Sequence, residues 1–321
     1  MSRSISDRSY SAHPRQLQAG RKYIITFSCP DRTGIVARIS GFLAEAGGWI
    51  TEAGYHTDTD TGWFFTRQVV RADSLPFEVT ELRARFAEVA DELSDQADWR
   101  VTDTAETKRV VVLVTREGHC LHDLLGRATS GELPATISAV IGNNEALRGI
   151  VTAHGLPFSY IPFPPPTHGS ARESAAATAA RAARKAAAFD ELAGQVDAHD
   201  PHAVVLARFM QVIPAKLCQR WAGRAINIHH SFLPSFAGAR PYHQAHARGV
   251  KLIGATCHYI TPELDAGPII EQDVIRIDHG HTVSDMMRLG RDAEKLVLAR
   301  GLRWHLEDRV LVHGNKTMVF R

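Results

Sequence analysis

The spacing of apolar residues changes character near residue 105, and the change divides the chain into two regions of different build. KYIITFS at 22–28 is rich in β-branched and aromatic residues and reads as a strand. In the CPDRTG that follows, Pro30, Asp31 and Gly34 signal a turn and a helix start. Ile35, Ile39, Phe42 and Leu43 then recur at helical spacing up to Gly47-Gly48. Two strands, 49–57 and 63–70, flank DTDTG, and Phe77, Leu82, Phe86, Val89 and Leu93 mark a helix over 76–93. A strand at 98–104 completes β-α-β-β-α-β, the ferredoxin-like order.

Past a charged linker (Glu106, Lys108, Arg109) the apolar runs become short and continuous: 110–114, 136–141, 203–207 and 225–228. Continuous runs alternating with helices predict strands buried on both faces, hence a mostly parallel sheet in a Rossmann-like α/β domain. PFPPP at 162–166 stiffens a loop, and the Ala-rich 171–196 is strongly helix-forming, a surface helix without functional content. A helix over 282–306 and a strand near 309–313 close the domain. The expected division is a disordered tail at 1–20, a ferredoxin-like domain at 21–105 and an α/β domain at 109–321.

Composition narrows the function classes. Of 321 residues, 44% are hydrophobic and 22% charged, ordinary globular values, and a net charge of +2 argues against nucleic acid as the main partner. The Arg/Lys-dotted stretch near 181–185 reads as a solvated helical face. Cys29, Cys120, Cys218 and Cys257 stand far apart with no CxxC pair, as reduced thiols of a cytoplasmic protein do. No apolar run approaches the ~18 residues of a membrane span, and the polar start has no signal-peptide core.

The chemistry concentrates between Arg224 and Gln272. Alternation along a strand puts Asn227 and His229 on one face, with Ser231 next in frame. A second apolar run, Ile253 to Ile260, carries His258 and leads to Asp265 in a DAGP turn, where Gly267 is expected at positive φ. Attack on a formamide carbon creates an oxyanion, so hydrogen-bond donors must be aimed where that charge develops. Asn227 offers an NH₂, protonated His229 a second donor, and Asp265 a carboxylate to orient His229 and take a proton from water. His229, His230, His243, His258 and Asp265 also invite a hydrolytic zinc site. Neighbouring His229 and His230 should face opposite sides of a strand, however, and these residues form neither an HxH nor an HExxH pattern, so no metal is expected.

At these residues the chain resembles a known family. NIHHSFLPSFAGARPYHQAHARGVKLIGATCHYITPELDAGPIIEQDVIRIDH closely resembles the formyltetrahydrofolate deformylases, within the folate-dependent formyltransferase superfamily. CPDRTGIVARISGFLAEAGGWI looks like the start of that family's ACT domain, and REGHCLHDLLGRA and AVIGNN like its first catalytic βα units. The resemblance covers about Tyr23 to Phe320. It implies an Asn227–His229–Asp265 catalytic set and a folate pocket along Arg208, Phe209, Met210, Gln211, Val212 and Ile213, with Ser231 and His258 beside it. Gln211 departs from the arginine often found at its position. The resemblance further implies hydrolysis of 10-formyltetrahydrofolate to tetrahydrofolate and formate, which balances the one-carbon pool and supplies formate for purine synthesis, with no cofactor. It also implies a homo-oligomer, and an amino-acid effector or pure assembly role at Asp31, Arg32, Thr33, Gly34 and Ile35.

Water is favoured over an amine as the acceptor. The turn after 110–114, Thr115-Arg116-Glu117-Gly118-His119-Cys120, has one glycine and places Glu117 where a phosphorylated amine would need its anion bound. Transfer to an unphosphorylated amine, or a folate-binding ACT-type sensor without turnover, are the competing readings.

Overall fold

The computed structural model describes residues 20–165, 174–234 and 241–321. The expected tail, Gly20 apart, lies outside the described residues, as do Pro166, the start of the Ala-rich segment and Ala239-Arg240 of the ARPYHQA run. The chain divides into two compact units, Met1–Glu106 and Thr107–Arg321.

In the first unit, β1 (Lys22–Pro30), α1 (Ile35–Glu45), β2 (Ile50–Asp58), β3 (Trp63–Arg71), α2 (Val79–Leu93) and β4 (Asp98–Asp103) follow the predicted order. The sheet is antiparallel throughout, with strand order β2-β3-β1-β4. Tyr23, Ile25 and Phe27 of β1 share a core with Ile35, Ile39 and Leu43 of α1 and Leu82, Phe86 and Val89 of α2. Phe27 meets Phe86 edge to face at 6.2 Å between ring centres. Helix α2 starts at Val79 rather than 76, because Pro76 holds the preceding chain extended and Glu78 is an extended N-cap. Phe77 is nonetheless buried in the same core.

The second unit runs β5 (Lys108–Val114), α3 (His119–Ser130), β6 (Ala135–Gly142), α4 (Arg148–Ala153), β7 (Phe158–Tyr160), α5 (Ala175–Ala198) and β8 (Ala203–Ala207). Then come α6 (Ala215–Arg220), β9 (Ala225–His229), α7 (Pro241–Ala247), β10 (Leu252–Tyr259), β11 (Ile269–Arg276) and α8 (Val283–Leu306). A hairpin of β12 (Val310–His313) and β13 (Lys316–Val319) ends it. The sheet order is β11-β10-β9-β8-β5-β6-β7, parallel from β9 to β7 and antiparallel at β10 and β11. Every residue of β8, and Val110 to Val114 of β5, is buried, which is why these strands read as continuous apolar runs. From β5 the chain runs outward to β6 and β7, then returns to lay β8 on the other side of β5. That reversal opens a crevice beyond the carboxyl ends of β5 and β8, where open α/β sheets hold ligands.

Candidate active site

Asn227, His229, His258 and Asp265 converge on a cavity of about 300 Å³ at this end of the sheet, and residues 208–213 line it too. Strand pairing does much of the positioning. Asn227 on β9 lies opposite His258 on β10, and His229 opposite Thr256, so the amide and the second imidazole are cross-strand neighbours. His258 Nδ1 lies 2.8 Å from the Tyr259 carbonyl oxygen and therefore carries a proton. Its Nε2 is then free to accept from Asn227 Nδ2, 3.1 Å away. That contact fixes which way the amide points and leaves its second N–H for a ligand.

Asp265 joins the two histidines. Its carboxylate oxygens lie 3.2 Å from His229 Nδ1 and 3.7 Å from His258 Nε2. The hydrogen bond from His229 above all holds its carboxyl well below the usual range, against the opposing effect of partial burial. The backbone supplies this geometry at some strain: Asp265 itself, not Gly267, takes positive φ, at 54°. Gly267 is needed for another reason, since a Cβ there would collide with the Tyr259 carbonyl. Ser231 is not part of the cavity lining; it is buried behind His229, with Oγ 2.8 Å from Nε2, and orients the ring from the far side. Thr256 Oγ1 accepts from Leu233 N–H and donates to the Ser231 carbonyl, which secures the turn after β9.

The loop after β8 alternates in burial. Phe209 and Ile213 are core, whereas Met210 and Val212 are 58% and 57% exposed. Met210 N–H donates to Thr115 Oγ1 at 2.9 Å, tying this loop to the end of β5. A larger cavity adjoins it, sharing Met210, Gln211 and Val212 and holding Arg116, Arg181 and Lys185. The basic stretch of α5 is therefore not a plain solvated face, because Arg181 and Lys185 turn toward this cavity.

Sequence alternation failed at His230. It lines the same cavity as His229, with ring centres 4.9 Å apart, because β9 ends at His229 and the chain bends there. Burial, then the charge of Arg208, push the His230 imidazole down to about 4. Behind it lies a second histidine–carboxylate pair that the sequence reading missed. His119 Nε2, at the start of α3, is 2.8 Å from Glu294 Oε2 of α8. Arg208 Nε is 3.6 Å from the same oxygen, and Tyr242 donates its hydroxyl to Oε1 at 3.3 Å. Burial alone would raise the Glu294 carboxyl, but the hydrogen bond from His119 and the charge of Arg208 outweigh it and hold it below its ordinary value. The signal was present: Glu294 interrupts the apolar stripe Met286, Gly290, Ala293, Val297 of α8. Glu117, in the turn that lacks a phosphate cradle, is 3.5 Å from Arg291 and 3.7 Å from His119.

His119, Cys120 and Glu294 place ligand-type atoms within 4.8 Å of one another. Burial pushes the Cys120 thiol well up, and His119 already bonds Glu294, so the set is a neutral thiol beside a hydrogen-bonded histidine–carboxylate pair. In the first unit, Asp31 to Gly34 are exposed and Gly34 caps α1 at φ 97°, while Ile35 is buried in the core. Any ligand there meets the backbone of Ile35, not its side chain.

Known proteins bear on this arrangement. A family model described as formyl transferase matches residues 108–302. A Bacillus subtilis protein named formyltetrahydrofolate deformylase is 42% identical over 91% of this chain and 92% of its own. A formyltetrahydrofolate deformylase structure from Pseudomonas syringae is 52% identical, with TM-score 0.87 over 95% of this chain and 96% of that one. A phosphoribosylglycinamide formyltransferase structure from Anaplasma phagocytophilum, 27% identical with TM-score 0.57, covers 67% of this chain and 96% of its own.

Proposed function

Because the chain belongs to the formyltetrahydrofolate deformylase family, we infer that it hydrolyses 10-formyltetrahydrofolate to tetrahydrofolate and formate. The observation that carries the mechanism is the meeting of Asn227, His229, His258 and Asp265 on one cavity beside the 208–213 loop. In this reading the pterin lies along that loop, where backbone groups read its polar edge and Phe209 and Ile213 hold the loop to the core. The formyl carbon then sits over the β9 residues. The anionic glutamyl tail extends toward Arg116, Arg181 and Lys185 in the adjoining cavity.

Asp265 holds the attacking water. A carboxylate kept this firmly ionised is a strong acceptor but a weak base, so the proton moves as the C–O bond forms and the water acidifies. Asn227 donates its second N–H to the developing oxyanion, and His229 joins it when its Nε2–H turns from Ser231 Oγ to that oxygen, each such donor being worth about 10²–10³ in rate. His229 then supplies the proton to the departing nitrogen. Donors, acceptor and proton source are all side chains, and the reaction so written needs no cofactor.

The first unit is assigned a regulatory or assembly role in a cytoplasmic homo-oligomer. The exposed turn at Asp31–Gly34 opens α1 and presents backbone N–H groups suited to an amino-acid carboxylate. Calorimetric titration of the full chain with glycine and methionine tests the effector, and absence of heat with either leaves assembly alone. For the reaction itself, formate release from 10-formyltetrahydrofolate is compared for wild type, Asp265→Asn and His229→Ala. Equal rates in all three would remove the catalytic assignment.

A further inference from the structure

We propose that the buried network of Arg208, Glu294, His119 and Tyr242 reserves the reaction for water, by filling the side of the reacting centre from which a larger acceptor must come. This rests on the hydrolase reading above. With the folate donor against Met210–Ile213 and the Ile260–Leu264 side of the cavity, Asn227, His258 and Asp265 face the reacting centre, and His229, His230 and Arg208 form the side of the lining toward Glu294 and Tyr242. A nucleophile larger than water has to enter past these groups, and Glu294 with its partners lies directly behind them.

Three independent features show that this wall is built rather than incidental. Arg208 adopts φ 63°, a conformation costing a non-glycine residue about 1–3 kcal/mol. Glycine would take that backbone without strain and leave the space empty, so the arginine side chain is what the position retains. Its Nε is buried with no hydrogen-bond partner among the described residues, 3.6 Å from Glu294, so the side chain is held there by charge and packing rather than by a hydrogen bond from that nitrogen. Second, the Tyr242 hydroxyl reaches Glu294 only because Gly290, one helical turn earlier on α8, has no side chain; a Cβ there would overlap the phenol. Third, the turn after β5 that would cradle an anionic acceptor carries His119 and Glu117, both engaged with α8 partners. An amine would have to separate a buried ion pair to enter, which is strongly unfavourable, whereas water occupies only ~30 Å³.

The competing reactions balance as follows. With water, oxygen adds to the formyl carbon, the C–N10 bond breaks with its electron pair to nitrogen, N10 gains one proton, and formate leaves with release of one more. With an amine, its nitrogen forms the new bond to carbon and loses one proton, N10 gains one, and a formamide leaves in place of formate.

The test measures the ratio of formylated amine to formate when the full-length protein turns over 10-formyltetrahydrofolate in excess glycinamide. Wild type should give formate, with formamide at the protein-free rate. Arg208→Gly should raise the ratio by at least about tenfold, the scale of pocket-size discrimination. Gly290→Ala, which displaces Tyr242 and leaves every charge in place, and Glu294→Gln should raise it less. The ratio is internal to each turnover, so a lower folded fraction does not move it. If formate release persists and no variant changes the ratio, or if wild type formylates glycinamide as readily as Arg208→Gly, the proposal is overturned. Absence of formate from wild type would instead sink the hydrolase reading.

Discussion

The second unit contains two histidine–carboxylate pairs, His229–Asp265 and His119–Glu294, and their chemistry diverges because their surroundings do. Asp265 is 27% exposed at the mouth of the cavity, held by two imidazoles on neighbouring strands. Glu294 is 2% exposed, with His119, Arg208 and Tyr242 around it. Both carboxyls are held below their ordinary values, yet only Asp265 has a face left for substrate. The comparison teaches that a depressed carboxyl does not identify a catalytic one; access to the reacting atoms does. Glu294 serves the site by occupying space and fixing Arg208, at the risk that any single loss leaves an unpaired buried charge.

Substitutions can break this contrast at several points. The largest expected effect is Asp265→Asn, which removes the charge that orients His229 and should lower formate release by about 10⁴-fold, as at other sites where a carboxylate fixes a catalytic imidazole. An urea-unfolding midpoint near wild type would show that the loss is chemical. Glu294→Ala should do the reverse in kind, destabilising the fold by about 3–5 kcal/mol through uncompensated burial of Arg208. If the urea midpoint hardly moves, the network is not a structural ion cluster. Asn227→Ala should reduce kcat by about 10²–10³ with a smaller change in KM, the signature of a donor used mainly in the transition state.

Acid stability gives a finer test of the boundary between the two pairs. His230 stands between them, with its imidazole at about 4 in the folded chain against about 6.5 when unfolded. A histidine depressed in this way contributes stability that is present above about pH 6.5 and is lost as pH falls toward 4. The loss amounts to about 3 kcal/mol. His230→Gln, which cannot titrate, should flatten that part of the stability curve, and an unchanged slope would contradict the burial argument. The smallest effect is expected from Tyr242→Phe, about 1.5 kcal/mol, the low end for a hydrogen bond to a charged group because this one is long at 3.3 Å, read by thermal melting.

Much of this was legible in the chain. The β-α-β-β-α-β order of the first part and the continuous apolar runs of the second separate an antiparallel unit from a mostly parallel one, because continuous runs report strands buried on both faces. Asn227 and His229 could be placed together because strand alternation is local, and Asp265 because the DAGP turn ends the next apolar run. The short α4, α6, α7 and β7 went unread, since two turns of helix or three residues of strand carry too little periodicity. His230 was misplaced because alternation holds only while the strand lasts.

The sequence by itself determined the order of elements, the two core patterns and the residue types that can handle a formyl group. Backbone periodicity and side-chain chemistry are properties of neighbouring residues. Only the tertiary structure decided which carboxylate meets which histidine. Sheet pairing brings His258 beside Asn227, and packing of α8 against α3 sets Glu294 on His119 from 175 residues away. Such pairings depend on strand register and helix packing between distant segments, and no local pattern encodes them.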